Sequence, residues 1–275
     1  MRIAQFYDQE KYIRLGLVEN DVLRPLDFAG DLVDFITSGQ SALVKDEVVD
    51  LEAVSWAPAV SRPSKIIAIG LNYRDHAEEG KAELPKTPLV FAKFPNSLAA
   101  HQQAIRWDAE VTKKVDFEAE LAVIVGRRIS CCSEAEAAGA VFGYACANDV
   151  SARDLQFGDG QWVRGKSLDT FCPLGPWIVT ADDIPDPQNL DISCRVNGQL
   201  MQSSNTGQMI FPVAFLVSFL SRHFTLFPGD VILTGTPSGV GVFREPSVYL
   251  QDGDQVSVSI ENIGTLVNRC QTGKV

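Results

Sequence analysis

Of 275 residues, 45% are hydrophobic and 21% charged, the proportions of a globular chain with apolar mass for a substantial core. The formal net charge of −11 excludes a nucleic-acid surface, which needs clustered Lys and Arg. It also obliges any anionic ligand to find its positive charge in a metal or in a few placed cations. No apolar run approaches the roughly 18 residues that cross a membrane, so no membrane partner is expected.

Met1 leads directly into the alternating run Arg2–Tyr7, without a signal or transit segment. A second strand is expected at Tyr12–Glu19 beyond the polar turn Asp8-Gln9-Glu10-Lys11, and a short amphipathic helix at Asp31–Ser38. Pro58 and Pro63 bracket a linker. Residues 1–60 are thus expected as a small N-terminal α/β domain without chemistry, and residues 61–275 as a catalytic domain. The second unit opens on an apolar strand at Lys65–Gly70. Charged Arg74–Pro85 follows, helical in composition but without an apolar stripe, and so ordered only conditionally. Val115–Gly126 ends as a buried, β-branched strand. Ser133-Glu134-Ala135-Glu136 is a capping box opening an Ala-rich helix to about Val141. Phe142–Ala147 is another apolar run, Asn197-Gly198 a type I′ hairpin turn, and Phe211–Arg222 an apolar helix; Asp230–Thr234 and Gln255–Ile260 are strands. Many short strands with few helices make the chain β-rich α+β. The six cysteines (131, 132, 146, 172, 194, 270) have no CxxC spacing, and buried reduced thiols are expected. With the missing leader, they point to a cytoplasmic protein.

The chemistry centres on Asp116, Glu118 and Glu120, whose i, i+2, i+4 spacing puts them on one strand face. Glu118 and Glu120 would lie about 6.6 Å apart at ~3.3 Å per residue. Such a run is either an exposed face with scattered acids or a site for a hard cation that relieves carboxylate repulsion. Asp149 supplies a further carboxylate where the next strand leaves the core. With no Cys or His at zinc-like spacing, the set suits octahedral Mg²⁺ or Mn²⁺, with Ca²⁺ as a further alternative. Gly160-Gln161-Trp162-Val163-Arg164-Gly165-Lys166-Ser167 matches a phosphate-binding loop by letter. That loop needs a strand before it and a helix after it. Here polar Arg153–Asp159 precedes and Pro173 follows closely, so the nucleotide reading is refused. Of three histidines, His101 and His223 lack acid partners. His76 has Glu79 three residues on, sharing its face of a helix.

Glu118-x-Glu120, then Asn148-Asp149-x-Ser151-x-Arg153-Asp154, then Gly165-Lys166-Ser167-x-Asp169-Thr170-Phe171-x-Pro173-x-Gly175-Pro176 follow one another as in the fumarylacetoacetate hydrolase superfamily, which the chain resembles. Gly70-Leu71-Asn72-Tyr73-Arg74-Asp75-His76 upstream and the Pro228–Gly241 run downstream extend the match from about residue 60 to the C-terminus. The stretch 195–206 and the C-terminal end look especially like the "domain-containing protein 2" branch. The resemblance implies a β-roll typical of these hydrolases and a homodimer. It also implies metal ligation by Glu118, Glu120 and Asp149, and Lys166 holding or protonating an enolate. Arg153 and Gln156 would contact substrate. Thr236 would do so too, unless its glycine-rich loop serves turn geometry alone. His76 with Glu79 would activate water. The implied reaction is Mg²⁺-dependent hydrolysis of a C–C bond in acylpyruvate or β-diketo acids. Oxaloacetate keto–enol tautomerisation or decarboxylation at the same site is the alternative. An inert binding module is a third reading, weakened because no ligand is missing. Arg74 to about Lys86, with little to bury, is expected to act as a lid over a bound oxo acid.

Overall fold

The computed structural model describes residues 1–274. The strand Ala119–Val125 explains the architecture, because every one of its residues is buried. Leu121, Val123 and Val125 enter one core while Ala122 and Ile124 enter another, so a sheet through this strand must be covered on both faces. Its antiparallel neighbours are Val141–Asn148 and Val231–Leu233. Beyond Val141–Asn148 the sheet continues through Cys172–Thr180, Arg2–Tyr7, Ile13–Glu19, Val22–Pro25 and Val49–Asp50. Beyond Val231–Leu233 come Ile66–Gly70, paired in parallel, and Leu89–Lys93. A five-stranded sheet covers one face, running Gln199–Asn205, Asp191–Val196, Gln255–Ile260, Gly264–Thr272, Ile105–Trp107. Its Cys194, Val256, Val258 and Leu266 share a core with Leu121, Val123 and Cys146, and Leu216, Val217 and Leu220 of the helix Val213–His223 join them. Leu32, at the start of the helix Leu32–Ser38, covers the opposite face with Ile3, Leu15 and Ile66.

The strand-rich α+β class read from the sequence is the class observed. Residues 1–60 are tied into the large sheet, with Arg2 opposite Val179 and Ile3 opposite Ile178. The stretch between Pro58 and Pro63 is packed, not loose: Ala59 and Val60 are buried, and the Ala59 N–H donates to Leu174 O at 3.1 Å. Asn197 and Gly198 both take positive φ, 51° and 78°, as the type I′ turn demands. The Ser133–Glu136 capping box forms, but its helix ends at Ala138. Val141 already belongs to the next strand.

Candidate active site

The antiparallel register brings the carboxylates together. Ala119 lies opposite Asn148, so the start of Ala119–Val125 and the end of Val141–Asn148 meet, two strand ends in the interior of the large sheet. Glu118 and Glu120 therefore come beside Asp149, whose N–H donates to Glu118 O at 2.9 Å. One carboxylate oxygen from each of the three lies within 4.8 Å of the others, and all three residues are buried.

Lys166 is held among them. Its Nζ donates to Glu118 Oε2 at 2.7 Å and to Asp149 Oδ2 at 2.8 Å. Gly165 makes this reach achievable: a Cβ there would stand 2.7 Å from Gln156 N and 2.8 Å from Ala152 O. Only glycine lets the one-turn helix Val163–Lys166 press against Arg153–Asp159 and aim Lys166 inward. The Gly-Lys pair of the phosphate-loop match thus serves helix packing, and its lysine faces carboxylates.

Sequence reasoning missed Lys93, at the inner end of Leu89–Lys93. Its Nζ donates to Asp149 Oδ1 at 2.5 Å and to the carbonyl oxygen of Lys166, with almost no exposure. A charge closing an apolar strand is the same signal that flagged Asp149, and it could have found this lysine.

Arg153, expected to contact substrate, is surrounded by acceptors of the chain itself. Nε donates to Asp116 Oδ2 at 2.8 Å and Nη1 to Gln156 Oε1 at 2.9 Å, while Nη2 lies 2.7 Å from Glu118 Oε1 as an ion pair and makes no hydrogen bond. Arg153 braces Glu118, and Gln156 accepts from it. Asp116 is fully buried and accepts from the Phe117, Gly241 and Val242 amides as well as from Arg153. It therefore stands behind the metal-ligating candidates, bracing Arg153.

The loop from Thr234 to Val242 turns its backbone amides onto the site's acids. Gly235 N–H donates to Glu120 Oε2 at 2.7 Å, Gly239 N–H to Glu79 Oε1 at 2.9 Å, and Gly241 N–H to Asp116 Oδ1 at 2.8 Å. Its glycines thus do more than turn the chain. Thr236 Oγ1 accepts from Gln202 Nε2 at 2.8 Å.

His76 and Glu79 share the helix Arg74–Glu79, with His76 Nδ1 and Glu79 Oε2 3.3 Å apart. That helix is pinned. Arg74 donates to Met209 O at 2.9 Å, Ser204 Oγ donates to Asp75 Oδ2 at 2.5 Å, and Glu79 accepts from the loop as above. Residues 74–79, expected to be ordered only conditionally, form a tethered helix. Polar tethers order the helix where apolar burial is lacking, and composition alone does not reveal tethers.

Burial pushes Glu118 up, but Lys166 and then Arg153 outweigh it and hold the carboxyl down to about 2. Glu120 goes the other way: burial, then Asp149 and Glu118, push it well above the usual range. Burial would lower Lys166, yet Asp149 and Glu118 hold it above its ordinary value. With Glu120 ionised, four buried carboxylates (Asp116, Glu118, Glu120, Asp149) would face three buried cations (Lys93, Arg153, Lys166), one negative charge in excess, and it is Glu120 that resists ionisation. Hard oxygen donors, clustered and short of positive charge, fit a divalent cation.

Residues 65–271 match the family model described as "Fumarylacetoacetate (FAA) hydrolase C-terminal". The rat protein named "Oxaloacetate tautomerase Fahd2a, mitochondrial" (Rattus norvegicus) is 41% identical, over 98% of this chain and 91% of the rat protein. A fumarylacetoacetate hydrolase from Exiguobacterium antarcticum has a similar structure, with a TM-score of 0.90 and 37% identity over 99% of this chain and all of the other. A maleylpyruvate hydrolase from Sphingobium sp. SYK-6, solved with manganese(II) and pyruvate, superposes with a TM-score of 0.82 and 30% identity, each chain wholly covered. Several relatives bear "mitochondrial" in their names, which overturns the cytoplasmic expectation. Reduced cysteines suit any reducing compartment and never selected the cytosol.

Proposed function

The chain belongs to the fumarylacetoacetate hydrolase family, and from that premise we propose that it is a Mg²⁺-dependent enzyme of small 2-oxo dicarboxylic acids whose reaction is keto–enol tautomerisation of oxaloacetate. The observation that carries this reading is the buried Glu118, Glu120 and Asp149 cluster with Lys166 set among it. Likeness along nearly the whole chain to a relative named as an oxaloacetate tautomerase supports the choice of reaction.

Glu118, Glu120 and Asp149 would hold the cation, which supplies Lewis-acid polarisation of the keto oxygen when bound. Lys166 presents an ammonium beside these carboxylates, where it stabilises negative charge developing on the enolate oxygen and returns a proton to it. His76 takes the proton from the carbon next to the carbonyl. Glu79 orients the imidazole through Nδ1 and leaves Nε2 as the basic nitrogen. Arg153 and Lys93 keep Glu118 and Asp149 in place, and Thr236 is the loop hydroxyl offered to substrate. A homodimer completes the reading.

A second reading, hydrolysis of acylpyruvate-type acids, is favoured by that same His76–Glu79 pair and by the likeness to a maleylpyruvate hydrolase. There His76 activates a water that attacks the distal carbonyl carbon. The C–C bond breaks with its electron pair on the pyruvate enolate, which is then protonated at carbon. Following enol absorbance and pyruvate release together, on oxaloacetate and on acylpyruvates with Mg²⁺-loaded protein, separates the two. Loss of enol absorbance from oxaloacetate without matching pyruvate supports tautomerisation. Turnover of acylpyruvates alone would replace it with hydrolysis.

A further inference from the structure

The stretch 195–206 contains a fully buried amide, Gln202, for which the proposed reaction has no use. Its strand, Gln199–Asn205, belongs to the five-stranded sheet, whereas Glu118 and Glu120 stand at the start of Ala119–Val125, an interior strand of the large one. Gln202 crosses between them. Its Oε1 accepts from the N–H of Ala119, the residue between the two glutamates, at 2.9 Å. Its Nε2 donates to Thr236 Oγ1 at 2.8 Å and to Pro237 O at 2.9 Å. The amide can be placed in only one sense, because the Ala119 N–H requires an acceptor and the Pro237 carbonyl a donor. The neighbouring residue seats the same loop: a Cβ on Gly239 would come to 2.2 Å from Met201 O.

We propose that Gln202 is a positioning residue. It fixes the distance between the Glu118–Glu120 pair and the Thr236 loop, and so couples affinity for the divalent cation to placement of the loop that meets the oxo acid. This rests on the function proposed above. The geometry supports coupling because the loop reaches the glutamates by two routes. Gly235 N–H binds Glu120 Oε2 directly, and Gln202 binds the peptide that carries both carboxylates. A peptide N–H held at one point transmits any shift to the side chains on either side of it, and groups holding a ligand in place govern metal affinity nearly as much as the ligands do.

The test is Gln202→Met, which fills similar volume and makes none of the three bonds. Three readouts apply: hydrogen exchange at Ala119, calorimetric Mn²⁺ titration, and KM against kcat for the oxo acid. We expect cooperative melting to persist, Ala119 exchange to quicken, Mn²⁺ affinity to fall about 10- to 100-fold, and KM to rise more than kcat falls. An isotherm and a KM within about twofold of wild type overturn the proposal, even if Ala119 exchange quickens, because the amide would then be structural only. Should Gln202→Met not fold, Thr236→Val is the second arm. It touches none of the three carboxylates but cuts one bond of the staple, so it should weaken Mn²⁺ binding at least about threefold; unchanged affinity overturns the coupling. A wild-type chain that takes up no Mn²⁺ sinks the functional reading along with it, whereas wild-type binding with an unaltered variant isotherm sinks this proposal alone.

Discussion

Lys166 and Lys93 divide the two oxygens of Asp149 between them, and their different surroundings predict different losses. Lys166→Met removes a cation that competes for Glu118 and Asp149, so divalent-metal affinity should hold or tighten. Turnover should fall about 10²- to 10³-fold, the usual consequence of deleting a group that stabilises transition-state charge. Calorimetry beside steady-state kinetics separates these effects, and loss of metal binding would assign Lys166 another role. Lys93→Met leaves Asp149 short of a partner and frees the Lys166 carbonyl. Breaking such a buried pair costs about 3–5 kcal/mol, which denaturant titration will read; a midpoint equal to wild type would count against it. The E-x-E spacing and the closing Asp149 were legible because periodicity places carboxylates without a fold. Gln202 was not, since a lone glutamine in sequence looks solvated until another strand is laid over it, whereas Lys93 closes an apolar strand as Asp149 does and was overlooked. Arg153 shows the limit of a motif: its position was visible, but only the fold shows that Asp116, Glu118 and Gln156 gather around its guanidinium.

Among elements, turns and caps carried their own chemistry and were read directly: Asn197-Gly198 from its need for positive φ, Ser133–Glu136 from its reciprocal bonds. The helix Arg74–Glu79 was misread as conditional because its anchors lie on distant residues, Ser204, Met209 and Gly239. Packing between short helices yields a further prediction. Gly165→Ala places a methyl against the backbone of Gln156 and Ala152, which cannot move aside as a side chain would. We expect the chain to fold with displaced Lys166 and turnover reduced at least about tenfold, and wild-type kcat in this variant would show that the close approach is dispensable. His101, without an acid partner in the sequence, accepts from the Val267 N–H through Nδ1 at 3.0 Å, and burial lowers its pKa from 6.5 to about 4. The unfolded chain therefore takes up a proton at His101 before the folded one does. Its contribution to stability is present above pH 6.5 and is lost as pH falls toward 4. Melting temperature should drop across that window in the wild type and drop less in His101→Gln. Parallel profiles would mean that His101 does not set the acid limb.

At the scale of the whole molecule, the sheet gathers the site from distant segments. Residues 93, 118, 120, 149 and 166 arrive at or beside the ends of three strands and on a short helix, and the loop after Val231–Leu233 donates to them. Fold class was legible because the count of short strands survives errors at their ends. The continuity of residues 1–60 with the large sheet was not, because pairing such as Arg2 with Val179 leaves no local trace. A net charge of −11 repels anionic substrates at long range, so capture of an oxo acid depends on positive charge brought to the buried cluster. The most direct measurement is calorimetric titration of Mg²⁺ into the wild-type chain and into Glu118→Ala, Glu120→Ala and Asp149→Ala, each checked for native melting. One site per chain in the wild type, absent from all three folded variants, is the expected result. A wild-type chain that binds no divalent cation, or variants that bind it as the wild type does, would contradict the assignment of the site.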